Sequence, residues 1–155
     1  MYAQILGNLT RQAKALELLE GLQQEEFELL LGRKADEVST LEFSIHELLR
    51  QIAVEREDLK NSLQGVKVME YADLLADEED QKMLRYIIRV IDVAEQRCAR
   101  QAEKNTTLSL ALLDQSHDLM TYLHDQITPK NQLVYGAKGG YTTHRPPASI
   151  LNGRL

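Results

Sequence analysis

Apolar residues recur at alternating intervals of three and four along most of this chain. The longest run reads Leu84, Ile87, Ile91, Ala94, Cys98, Gln101, Asn105, Leu108, Leu112, Gln115, Leu119 and Tyr122. This spacing keeps one face of a long helix turned toward a neighbour. No Pro or Gly falls between Gly65 and Pro129, so the pattern predicts one helix over 78–128. Asp77 supplies an N-cap, and Glu78, Glu79 and Asp80 suit the positive end of the helix dipole. Thr128 precedes Pro129, and a residue before proline is pushed out of helical geometry.

Two further helices follow from the same spacing. Over 2–31 the stripe is Leu6, Leu9, Ala13, Leu16, Glu20, Gln23, Phe27 and Leu30, widened by Leu18, Leu19 and Leu22. Glu20 and Gln23 interrupt it, so Leu19 and Leu22 are expected to carry the mid-helix packing. Gly32 offers a left-handed cap, with Arg33 and Lys34 beside the negative end of the dipole. Over 35–64 the stripe is Val38, Leu41, Ile45, Leu48, Ile52, Glu55, Leu59 and Ser62, and Gly65-Val66 reads as a glycine cap with its hydrophobic follower. So short a link implies an antiparallel hairpin. A short helix over 67–76, apolar at Val68, Met69, Leu74 and Leu75, is expected to cross it.

The fold class is therefore all-α: an antiparallel bundle or coiled coil of three long helices plus a short one, with a left-handed twist. Residues 1–128 form the helical domain, and 129–155, rich in Gly and Pro, read as a flexible tail. The tail keeps three apolar islands: Leu133-Val134-Tyr135, Tyr141 and Ile150-Leu151. Helices of about 30 residues span about 45 Å, and one of about 50 residues about 75 Å. The last helix is thus expected to outrun the hairpin and leave an apolar stripe over 108–127. Such a stripe marks an interaction site for a partner protein, unless the last helix bends back or a second copy covers it, which would make a homodimer.

Composition narrows the function. Residues 1–128 hold 14 Lys and Arg against 24 Asp and Glu, a net charge of −10, while the tail carries Lys130, Lys138, Arg145, Arg154 and no acid. So acidic a body speaks against nucleic acid, whose phosphates call for clustered cations. No run approaches the ~20 apolar residues of a membrane span, and the first residues hold no signal-peptide core, so the chain reads as cytoplasmic and not membrane-inserted. The single cysteine, Cys98, lies on the seam as a small buried residue.

Residues for chemistry are scarce. Asp114 and His117 share a helical face, but metal-binding bundles use several such pairs. His46 and His117 lack the basic residue and glycine that would follow a phosphorelay histidine. Tyr135-Gly-Ala-Lys-Gly-Gly140 follows no strand and opens no helix, so it is no phosphate loop. No catalytic, metal or cofactor site is expected, and the chain reads as a non-enzyme. Gln101 and Asn105 interrupt the long seam one turn apart, the kind of polar pair that fixes helix register.

Several stretches resemble the FlgN family of flagellar export chaperones. They are Glu25-Glu26-Phe27-Glu28-Leu29-Leu30, then Lys34 through Ile45-His46-Glu47-Leu48-Leu49, and Glu55-Arg56. The long last helix and the tail element Tyr135-Gly136-Ala137-Lys138-Gly139 agree. The resemblance implies a cytoplasmic helper of flagellar type III secretion that binds hook-associated proteins of the hook–filament junction. It would keep them unassembled and deliver them to the export gate. On this reading Leu108, Leu112, Leu119 and Leu123 form the partner-binding face, and Tyr135 sits in a docking motif for the export machinery. The alternative is a self-associating coiled-coil scaffold without an export role.

Overall fold

A computed structural model describes residues 1–127 in full, together with the backbone of Val134–Tyr135 and Tyr141–Thr142. Its helices are α1 (Tyr2–Leu31), α2 (Ala35–Ser62), α3 (Val68–Asp73) and α4 (Glu78–Ile127), an all-α architecture with three long members. In the segment beyond, β1 (Val134–Tyr135) and β2 (Tyr141–Thr142) pair antiparallel, with Tyr135 opposite Tyr141. The other tail residues, including Leu133, Ile150 and Leu151, and the expectation of a flexible tail lie outside the described residues.

The chain divides into two compact units, Met1–Ser109 and Leu110–Leu155. In the first, α1 and α2 form the antiparallel hairpin. Its apolar seam consists of Ile5, Leu9, Leu16 and Leu19 from α1 with Ile45, Leu48, Ile52 and Leu59 from α2. Helix α4 adds Leu84, Ile87, Ile91, Ala94 and Cys98. It runs parallel to α1 in a fixed register. The Cys98 thiol donates to the Leu16 carbonyl at 3.4 Å and Asn105 Nδ2 to the Gln23 carbonyl at 2.7 Å, both 82 residues back along the chain. Arg56 pairs with Glu95 across α2 and α4, and Arg85 with Asp73 across α4 and α3.

The cap of α1 differs from the glycine expectation by one residue, and at the end of α2 the expected glycine is left-handed with Gln64 left-handed before it. Gly32 stays right-handed at φ −74°, and Arg33 takes the left-handed position at φ 54°. The bonds are those of a Schellman motif: Lys34 N–H donates to the Leu29 carbonyl and Arg33 N–H to that of Leu30. At the end of α2, Gln64 is left-handed at φ 51° beside Gly65 at φ 87°. Gly65 N–H donates to the Lys60 carbonyl and Gln64 N–H to that of Asn61. At the start of α4, Asp77 Oδ1 accepts the Glu79 N–H at 2.9 Å, the expected N-cap bond.

Burial corrects three details of the sequence reading. Gln23 is itself buried in the seam beside Leu19, whereas Leu18 is exposed and Leu22 only half-buried. In the connector, Ala72 is fully buried with Tyr71 and Val68 against it, while Met69 and Leu74 face solvent. Of this six-residue helix, Ala72 is the residue that joins the core cluster outright.

Candidate functional face

Two polar nodes set the register of the first unit. In the lower one, Glu55 of α2 accepts Asn8 Nδ2 at 2.7 Å and the Arg11 guanidinium at 2.6 and 2.8 Å. Asn8 Nδ2 also donates to the Glu55 carbonyl, and its Oδ1 accepts Gln12 Nε2 at 2.6 Å. Asn8 and Gln12 are buried, so these bonds supply what water gave them in the unfolded chain. Arg11 holds the Glu55 carboxyl below the usual carboxylate range.

The upper node is built on Asn105. Its Nδ2 donates to the Gln23 carbonyl and to Glu26 Oε2 at 2.6 Å, and its Oδ1 accepts Gln101 Nε2 at 2.9 Å. Burial pushes the Glu26 carboxyl up, the Asn105 bond opposes this, and the Glu42 carboxyl bonded to it from α2 raises it further. The His46 ring lies 3.4 Å from Glu42. The Gln101–Asn105 pair therefore takes the structural position that its place in the seam suggested. Cys98 is buried, and that burial pushes its thiol up, away from the reactive thiolate.

Beyond Asn105 the stripe changes its surroundings. Leu108 and Leu112 are half-buried. Leu119 is 58% exposed, and Leu113, Met120, Leu123 and Ile127 are exposed with it. At 3.6 residues per turn, Leu112, Leu113, Leu119, Met120, Leu123 and Ile127 fall on one side of α4. Asp114, Asp118 and Asp125 gather on the other, and no Lys or Arg lies between Lys104 and Lys130. This segment is an acidic amphipathic helix whose apolar side lacks a cover among the described residues. Of the expected face, the structure thus places Leu119 and Leu123 in solvent and Leu108 and Leu112 part-way in. Leu113, Met120 and Ile127, which the sequence placed in the apolar segment over 108–127 but outside the four-leucine face, are exposed on the same side. The Tyr135 side chain lies outside the described residues, and its backbone belongs to β1.

Asp114, His117 and His124 are exposed along this segment. Among the described residues, no group of three or more His, Cys, Asp or Glu could hold a metal ion. No described helix is long and apolar enough to cross a membrane. What the segment can do chemically is bury area against another amphipathic surface.

The family described as FlgN protein matches the chain over residues 1–143. No curated protein and no solved structure matches it.

Proposed function

The chain belongs to the FlgN family of flagellar export chaperones, and from that premise we propose that it binds hook-associated proteins in the cytoplasm through the exposed side of α4. The observation that carries this reading is the apolar face of Leu119, Met120, Leu123 and Ile127, exposed on a helix with no cover for it among the described residues. A hook-associated protein would lay an amphipathic helix along that face, the groove-filling mode used by many helical binders. The surface it needs for assembly would be hidden meanwhile, and the cargo would pass unassembled to the export gate.

Leu119→Asp with Leu123→Asp is the cleanest variant, since both side chains are exposed and their loss leaves the bundle core untouched. Co-purification with hook-associated proteins, with molar mass read by light scattering, should show a hetero-complex for the natural chain and none for the variant. Equal binding by both would remove the face from the proposal. Tyr135 is proposed to dock the export machinery. A chain ending at Pro129 should bind cargo normally and export it poorly; normal export by that chain would discard the role.

A further inference from the structure

Helix α4 runs parallel to α1, and two parallel helices commonly set charged pairs along the flanks of their seam, where water reaches it. One such pair is present: Arg97 Nε lies 3.1 Å from Glu20 Oε2. Seven residues earlier on each helix the equivalent positions are Ala13 and Val90, and seven earlier again they are Leu6 and Met83. All four are apolar. Leu6 and Ala13 are half-buried against the core, while Met83 and Val90 are exposed. Tyr86, 66% exposed, and Val93 extend the α4 wall of this groove. From Met83 to Arg97 the wall is about 21 Å long. An apolar groove of two heptads, where ion pairs would otherwise sit, is a bed for one more helix.

The α4 edge of the groove is basic. Lys82, Arg89 and Arg100 follow at intervals of seven and eleven, which aligns them beside Tyr86 and Val93, and Lys104 continues the row. All four are exposed. Arg89, Arg100 and Lys104 have no ion-pair partner among the described residues, while Lys82 contacts Glu79. In a body with 14 Lys and Arg against 24 Asp and Glu, such a row stands out. Charge complementarity selects the occupant. We infer that the α1–α4 groove docks an amphipathic helix of another protein, apolar toward Ala13, Met83 and Val90 and acidic along the edge that meets Lys82, Arg89 and Arg100. The chain's own acidic stretch does not fit, because Asp114, Asp118 and Asp125 lie opposite the apolar side of that helix. An anionic bilayer would offer the charge, but the acidic body is repelled by it and a flat surface does not fill a groove. The groove lies within the Met1–Ser109 unit and shares no residue with the face of Leu119 and Leu123.

The test compares two synthetic helical peptides of about 20 residues, sharing one stripe of leucines and carrying either Glu or Lys along one flank. Each is titrated with the full chain and followed by fluorescence anisotropy. The Glu peptide should bind, less tightly as salt rises, and the Lys peptide should bind about tenfold more weakly or not at all. Arg89→Glu with Arg100→Glu should reverse that order, with the helix content unchanged in circular dichroism. Tyr86→Ser with Val90→Ser should weaken both peptides. Leu119→Asp with Leu123→Asp should keep the preference for the Glu peptide. Equal affinity for the two peptides, or binding of neither at millimolar concentration, would overturn the inference. Loss of the preference in the Leu119 and Leu123 variant would do the same, by moving the peptide to the end of α4. Vesicles of phosphatidylglycerol should not retain the chain; retention abolished by the Arg89 and Arg100 changes would assign the surface to a membrane instead. None of these readouts involves a hook-associated protein, so the groove and the cargo face stand or fall separately.

Discussion

From Leu84 to Asn105 the α4 stripe is buried, apart from half-buried Gln101, and its polar members are bonded. From Leu110 to Ile127 the same intervals continue, yet only Leu112 is even partly covered. Composition hardly separates the two stretches, since both alternate Leu and Ile with polar residues. What separates them is whether α1 and α2 contribute a facing side chain. The lesson is that an apolar period specifies a sticky face and leaves open what sticks to it. Where the hairpin supplies partners the face becomes core, and where it does not the face becomes a candidate for binding.

Equal substitutions in the two stretches give the largest contrast. Leu84→Ala removes a side chain with no exposed area and should cost about 3 kcal/mol, whereas Leu119→Ala should stay within about 0.5 kcal/mol. Urea unfolding followed by circular dichroism measures both, and similar losses would erase the distinction between core and free face. Next comes the lower node. Glu55→Ala removes one of the two acceptors of the buried Asn8 amide, together with the Arg11 partner, and should cost about 1–2 kcal/mol. A loss near zero in the same assay would mean that the node adds nothing to stability.

A smaller gain is expected at the caps. Gln64→Gly relieves a left-handed residue and should raise stability by about 0.5–1 kcal/mol in thermal unfolding. A fall would show that the Gln64 side chain has a stabilising role.

The two nodes should also respond to acid in opposite senses. Glu55, held low by Arg11, contributes stability that is present above the unfolded carboxylate value and is lost as pH falls through its folded value. Glu26, raised by burial and by Glu42, binds its proton more tightly folded than unfolded, so its site gains stability as pH falls from neutral through its raised value. Glu42→Gln should lessen that gain in melting curves taken from neutral pH downward, the part due to burial remaining, and leave the Glu55 response at lower pH in place. An unchanged curve would show that Glu42 adds nothing to the effect of burial at Glu26.

Much of the fold was legible because helix periodicity is local. The observed α1, α2 and α4 follow stripes that can be read off the chain, and Asp77 caps α4 as its side chain suggests. The cap glycines were only half legible. A Schellman motif needs one left-handed residue near the helix end, and which residue takes it depends on where the last hydrogen bond forms, so Arg33 and Gln64 took the position next to the glycines. Gln23 misled for a related reason. Its polar side chain argued against burial, yet it is buried with its Oε1 unbonded among the described residues, while its backbone carbonyl accepts Asn105 from 82 residues away.

The sequence by itself determined the helices, their order, the acidic character of the body and the presence of more apolar surface on α4 than one hairpin can cover. These follow from 3.6-residue periodicity and side-chain chemistry, which act within a few turns. Only the tertiary structure decided the register of α4 on α1, the bonding of Asn8, Glu55 and Asn105, and which leucines end in solvent. Those depend on contacts between residues far apart in the chain, where a side chain is buried only if another arrives to face it.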